Sequence, residues 1–319
     1  MLSRHFYREK VLQSLYANFV ANNGEIQEFE KGVLKAIDRL HDLYIYQLSI
    51  ISETVDVVEQ KIEDAQQKHF PTQKEINDDT RFIQNKVIQF FSTNVDLKKK
   101  CEYLKINWAE EKEIFKTIYN QFKEQSAFEE YIALEKPTFE EDRKIAGKFF
   151  KAAVNYPALF DKFVEKNLYW EDDFYQIAQL SYNTIRSIDE SLDESIIHSG
   201  FFDKSSDKVN DDKQFAVELF RKTVLNEDKL TDLIRKRIAN WEYERIAMID
   251  IILVKMAIAE LMNFPSIPVK VTINEYIELS KEYSTEKSKT FVNAILDKIV
   301  IDLKEEGVLK KAGRGLLTD

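Results

Sequence analysis

Apolar residues recur at steps of three and four along nearly the whole chain, which is the repeat of a helix with one buried stripe. In residues 2–21 the stripe is Val11, Leu12, Leu15, Tyr16 and Phe19, with Ser3 placed to cap a first helix. Near the other end, Pro265 and Pro268 interrupt the pattern, and Thr272 stands three residues before Glu275, the capping-box spacing, so a helix is predicted to open there. The last helix is predicted to begin after Ser284, to bury Phe291, Val292, Ile295, Leu296, Ile299, Val300 and Leu303, and to stop at Gly307. Residues 310–319 then read as a frayed basic tail.

The chain also repeats itself. Arg81, Ile83, Lys86, Val87 and Ile88 return 62 residues later as Arg143, Ile145, Lys148, Phe149 and Phe150, and the same shift carries Leu97 to Leu159 and Trp108 to Trp170. A further shift of 70–71 residues brings Ala146 to Ala216, Phe150 to Phe220, Leu159 to Leu230 and Trp170 to Trp241. Each copy reads as a helix, a short turn, and a second helix opened near its Trp, which plugs the gap between them. The alternative is a chance likeness among amphipathic helices.

Composition narrows the class. With 319 residues and 37.6 kDa the chain holds one large domain or two smaller ones, and only 7 Gly and 5 Pro over that length predict an all-α protein. One cysteine, Cys101, excludes an internal disulfide and any multi-cysteine metal site, and fits a reducing, cytoplasmic setting. Charges interrupt the first ten residues, and no apolar run reaches about 18, so neither a secretory signal nor a membrane span is expected. The net charge of −10 is uneven: residues 1–22 carry three basic groups against one acidic, and residues 206–319 carry 19 against 20. The middle holds the remaining 24 basic and 35 acidic groups, a balance of −11.

Reaction chemistry is hard to find. His5, His41, His69 and His198 form no i, i+4 pair, the glycines form no phosphate-cradling loop, and no Ser sits in a nucleophile elbow. No metal, cofactor, small-molecule substrate or enzymatic activity is expected.

The final 80 residues carry a specific string: Asn240-Trp-Glu-Tyr-Glu-Arg-Ile246, Asp250, Ala259-Glu260-Leu261, Ile267-Pro268-Val269, Ile273-Asn274-Glu275, Glu278-Leu279-Ser280-Lys281, Glu286-Lys287-Ser288 and Phe291 through Asp297. In that order it resembles the NusB family of transcription antitermination factors, and Arg8 through Tyr16 looks like that family's first helix. The resemblance covers residues 1–22 and about 208–306. Residues 23–207 are then a long inserted helical region, with repeat copies near 78–120 and 140–182. It departs from the family in keeping only Arg4 and Arg8 of an arginine cluster, and in having Ala294 where Gly is usual.

The resemblance implies a pair of small helical bundles. It also implies binding of a boxA-type single-stranded RNA together with the small-subunit ribosomal protein NusE, in transcription elongation complexes that read through ribosomal RNA operons. The RNA-binding residues it implies are Arg4, His5 and Arg8 at the first helix, and Lys287, Lys289 and Phe291 near the last. Tyr16 and Asp250 occupy the partner-binding positions.

Residue chemistry supports these in part and leaves alternatives open. Arg4 and Arg8 stand one turn apart at a helix N-terminus, where a phosphate would meet both side chains and free backbone N–H groups; otherwise their stems extend over apolar neighbours. His5 either touches a base or phosphate or lies on the surface. Phe291 either stacks a base or is core. Tyr16 either meets the partner or packs with Leu12 and Phe19, and Asp250 either leaves the core at the edge of an apolar stripe or pairs internally with Arg245 or Lys255. A different class of reading also stands: a helical-repeat interaction scaffold that has lost RNA binding.

Overall fold

A computed structural model describes residues 3–21, 25–67, 73–197, 206–238 and 246–316. The chain is all-α, and no strand occurs among the described residues. Its helices are α1 (Arg4–Ala21), α2 (Ile26–Gln66), α3 (Gln73–Ile83), α4 (Lys86–Thr93), α5 (Val95–Tyr103), α6 (Lys112–Lys123), α7 (Ser126–Ala133) and α8 (Phe139–Val154). They continue as α9 (Pro157–Lys166), α10 (Phe174–Ser187), α11 (Ser206–Leu225), α12 (Glu227–Arg237), α13 (Met248–Asn263), α14 (Val269–Tyr283) and α15 (Ser288–Glu305). Two compact units result, one built on Asp38–Ser206, the other joining Ser3–Ile37 to Asp207–Asp319.

In the second unit the organising element is α13. Residues 250–261 are buried without a break, so this helix has no solvent face and needs neighbours all round. α1, α12, α14 and α15 supply them. Its three buried charges are each engaged: Asp250 accepts from Ser288, Lys255 donates to Glu227 at 3.0 Å with its ammonium 4.9 Å from the Phe19 ring, and Glu260 faces Arg8.

Two sequence expectations for this unit change. α14 begins at Val269, directly after Pro268, and not at Thr272. The Thr272 hydroxyl points into the core and donates to Glu260 Oε1 at 2.9 Å, because the buried carboxylate competes for it more strongly than a helix end does. The tail is not frayed over its first part: Ala312 N–H bonds the Pro265 carbonyl at 3.1 Å and Lys311 Nζ the Phe264 carbonyl, also at 3.1 Å. Between them α15 ends as its sequence requires. Gly307 takes φ +66, open to a residue without a Cβ, and lets the N–H groups of Val308 and Leu309 fold back onto the Leu303 carbonyl.

The other unit contains two successive copies of one pattern. α5 and α9 begin 62 residues apart, as do α6 and α10. Leu97 and Leu159 are both buried, and Trp108 and Trp170 are both buried at the turn between the helices of each copy. Each indole N–H donates to α2, Trp108 to Ser49 Oγ and Trp170 to the Arg39 carbonyl, both at 3.0 Å. Arg81 and Arg143 also act alike, donating to the carbonyls of Leu134 and Ile188, the residues that close α7 and α10. Of the third copy, Leu230 is buried in α12, while Trp241 lies outside the described residues.

Candidate functional site

Two regions of the second unit gather the sequence candidates. The first is the start of α1. Arg8 reaches across to the fully buried Glu260, its Nε and Nη2 each 2.8 Å from one carboxylate oxygen, while Nη1 lies 3.2 Å from Glu275. Thr272 and Tyr276 hydroxyls donate to the same Glu260 carboxylate at 2.9 and 3.0 Å, so both of its oxygens receive two bonds. A buried carboxylate so supplied is the geometry in which an ion pair can offset its desolvation. The pair holds the Arg8 charge in place and pushes the Tyr276 phenol well above its usual range, through burial first and the Glu260 charge second.

Arg8 is 2% exposed, which corrects its expected role: its guanidinium is committed to the protein and presents no edge to a phosphate. Arg4 Nε donates to Asp212 at 2.9 Å, with the guanidinium 4.9 Å from the Phe215 ring. His5 contacts Glu275 at 3.0 Å and Glu282 at 3.3 Å; the hydrogen bond to Glu275 outweighs burial and raises its pKa to about 8. The cations at this helix start therefore each face acids of the same unit. Their charge is largely cancelled before any ligand arrives, and that cancellation also removes the unfavourable meeting of arginines with the helix dipole.

The second region is the face of α15 nearest the end of α12. Lys287, Thr290, Phe291, Ala294 and Lys298 recur at three- and four-residue steps along that face and, with Arg237 and Ile295, line an open cleft of about 360 Å³. Lys287 and Lys298 are exposed, with no ion-pair partner among the described residues. Arg237 pairs with Asp302. Phe291 is 7% exposed, so it forms the cleft's apolar floor and is core more than stacking surface. Lys289, exposed, is not among the cleft residues, and Asn293, also exposed, donates to Asp297 at 3.4 Å.

The partner candidates separate. Tyr16 is 44% exposed on α1 and available to another molecule. Asp250 is 5% exposed and accepts from Ser288 Oγ at 2.8 Å, while Ser288 also bonds Thr285 and Ser284; its carboxylate ties α13 to the first turn of α15. That corrects the expected exposed edge. The internal partner is Ser288, not Lys255, and Arg245 lies outside the described residues. The sequence reading missed Lys298 and Arg237. Lys298 stands seven residues beyond Phe291, a two-turn step that signals a shared face; nothing local connects Arg237 with it.

Among the described residues no group of His, Cys, Asp and Glu is placed to hold a metal, and no helix is long and apolar enough to cross a membrane. What the site offers is a cationic cleft over an apolar floor.

The profile of the NusB family matches residues 174–300. The transcription antitermination protein NusB of Salinibacter ruber (strain DSM 13855 / M31) is 46% identical over 105 residues, which are 33% of this chain and 66% of that protein. That of Chloroherpeton thalassium (strain ATCC 35110 / GB-78) is 44% identical over 105 residues, 33% of this chain and 50% of that protein. The NusB protein of Clostridium kluyveri is 33% identical over 117 residues, 37% of this chain and 75% of that protein. The chain belongs to the NusB family. It spans between half and two thirds of the first two relatives it matches, and the profile begins at Phe174, inside the region expected from sequence to be inserted. No solved structure matches.

Proposed function

We propose that this protein is a transcription antitermination factor, a binding protein and not a catalyst, that takes up a short single-stranded boxA-type RNA together with the ribosomal protein NusE. It acts within the transcription elongation complex on read-through of ribosomal RNA operons. The observation that carries this reading is the α15 cleft, in a chain belonging to the NusB family: Lys287 and Lys298 flank it, exposed and with no ion-pair partner among the described residues. Their positive charge supplies sequence-independent attraction for phosphates, and the Thr290 hydroxyl and the cleft's shape supply the polar contacts that select a base. Arg4 and His5, partly exposed, lie at the edge of α1 and contribute less, being paired already. Tyr16 belongs to the NusE surface; Asp250 supports the RNA site from beneath by holding Ser288 at the start of α15.

The test is fluorescence anisotropy with a short boxA-like RNA, with and without the ribosomal partner. Weak binding alone and cooperative binding with the partner are expected, and Lys287→Ala with Lys298→Ala should remove most of it. An RNA affinity indifferent to both lysines and to the partner would favour the interaction-scaffold reading.

A further inference from the structure

Arg81 and Arg143 are equivalent residues of the two copies in the Asp38–Ser206 unit, and each donates to the carbonyl that closes a helix. They differ in what else they meet. Arg143 also bonds the Glu140 carboxylate one turn back, which Arg186 faces at 3.8 Å. The residue one turn before Arg81 is Asp78, whose charge acts on Tyr119 instead, and Arg81 has no carboxylate partner among the described residues. Its guanidinium lines an open groove of about 520 Å³ together with Lys86 at the start of α4 and Lys136 in the α7–α8 connection.

Both lysines are exposed and unpaired among the described residues. Of the two carboxylates at the groove, Asp142 is engaged, accepting from the Tyr131 hydroxyl at 2.7 Å and from the Lys86 N–H at 3.1 Å; Glu135 is exposed at the rim. Because Asp142 takes the Lys86 N–H, the cationic character of the groove rests on three side chains and not on a helix end. The unit as a whole is acidic, with 22 basic against 32 acidic residues, so a groove with three cations against two carboxylates runs against its average charge.

We propose that the groove is a phosphoryl-binding site, with Arg81, Lys86 and Lys136 as its cations. Three cations arriving from three elements suit a tetrahedral group with oxygens pointing in several directions and up to two negative charges; a lone carboxylate would satisfy one of them. The second copy carries the converse arrangement, in which Glu140 occupies the ligand's place beside Arg143. The source of the phosphoryl group is either a free phosphate or the phosphate of an RNA. The groove is built from residues of the Asp38–Ser206 unit and shares none with the α15 cleft, so its failure and that of the RNA reading are distinguishable.

Amide chemical shifts of the full chain are followed while inorganic phosphate, a 5′-phosphorylated RNA tetranucleotide and an acidic tetrapeptide are added in separate titrations. Phosphate-bearing probes should move the amides of residues 81–86 and 135–136. Affinity should fall at least tenfold both in Lys86→Ala with Lys136→Ala and in Gln84→Glu, which places an acid one turn from Arg81 at an exposed position, while Lys287→Ala with Lys298→Ala leaves it unchanged. A more than tenfold preference for the tetranucleotide assigns the group to RNA; equal affinity assigns it to free phosphate. Shifts that are absent with every probe, unaffected by both groove variants, or matched by the acidic peptide overturn the proposal.

Discussion

Trp108 and Trp170 hydrogen-bond to the same helix ten residues apart, and both rings pack on the same two side chains, Tyr46 and Phe163. The centroid separations are 5.8 and 4.8 Å to Tyr46 and 5.2 and 6.1 Å to Phe163. The two copies of the repeat thus close around α2 through one aromatic cluster. Replacing either Trp by Ala should cost about 3–5 kcal/mol, the usual range for emptying such a site. Because the two share partners, the double variant should fall short of, or exceed, the sum by about 0.5–3 kcal/mol. Urea titrations of the three variants measure this, and strict additivity would mean the cluster is not shared.

Arg8 and Glu260 form a buried pair, so the loss of one partner matters more than the loss of both. Arg8→Ala should destabilise by about 3–5 kcal/mol by leaving the Glu260 charge uncompensated, whereas Arg8→Met combined with Glu260→Gln should recover a measurable part. Denaturant midpoints of the single and double variants check the order.

His5 gives the second unit a pH dependence of known sign. Its folded pKa, raised to about 8 by Glu275, exceeds the unfolded value near 6.5, so its contribution is fully present below pH 6.5 and is lost as pH rises through 8. With a side chain 20% exposed, the full contribution is on the order of 2 kcal/mol. The lowered Glu275 pKa is chiefly the other face of the same interaction and is not counted again, with the nearby Arg8 charge lowering it further. Melting temperatures between pH 6 and 9 should decline in the native protein, and His5→Gln should flatten that decline.

RNA binding through Lys287 and Lys298 should carry a shallow salt dependence. Two phosphates neutralised on a single strand give a slope of about −1.4 in log K against log salt, and replacing both lysines by Ala should bring it near zero with helix content unchanged. Anisotropy at several salt concentrations reads the slope directly.

Asp250 and Tyr16 should respond in opposite ways. Asp250→Lys places a cation at a 5% exposed position facing Ser288, so the melting temperature should fall while NusE affinity per folded molecule holds. Tyr16→Ala, at a 44% exposed position, should spare stability and weaken NusE binding. Measuring both quantities on the same samples separates a supporting residue from a contacting one.

The helical class, the apolar face of α15 and its stop at Gly307, and the matched places of Trp108 and Trp170 are all readable from spacing and from residue type. These are local properties: a period of three to four residues defines a face, and a glycine after the last apolar position permits the left-handed turn. The family was readable too, because its string of residues is contiguous. Which charges remain available was not. Arg4, His5 and Arg8 look like an open cationic edge along the chain, yet their acids, Asp212, Glu260, Glu275 and Glu282, come from residues more than 200 positions away. Asp250 and Thr272 likewise take their partners, Ser288 and Glu260, from other helices. Periodicity assigns a side chain to a face, but whether its charge meets an opposite charge, a hydroxyl or solvent depends on which helix packs against that face, and only the tertiary structure decides that.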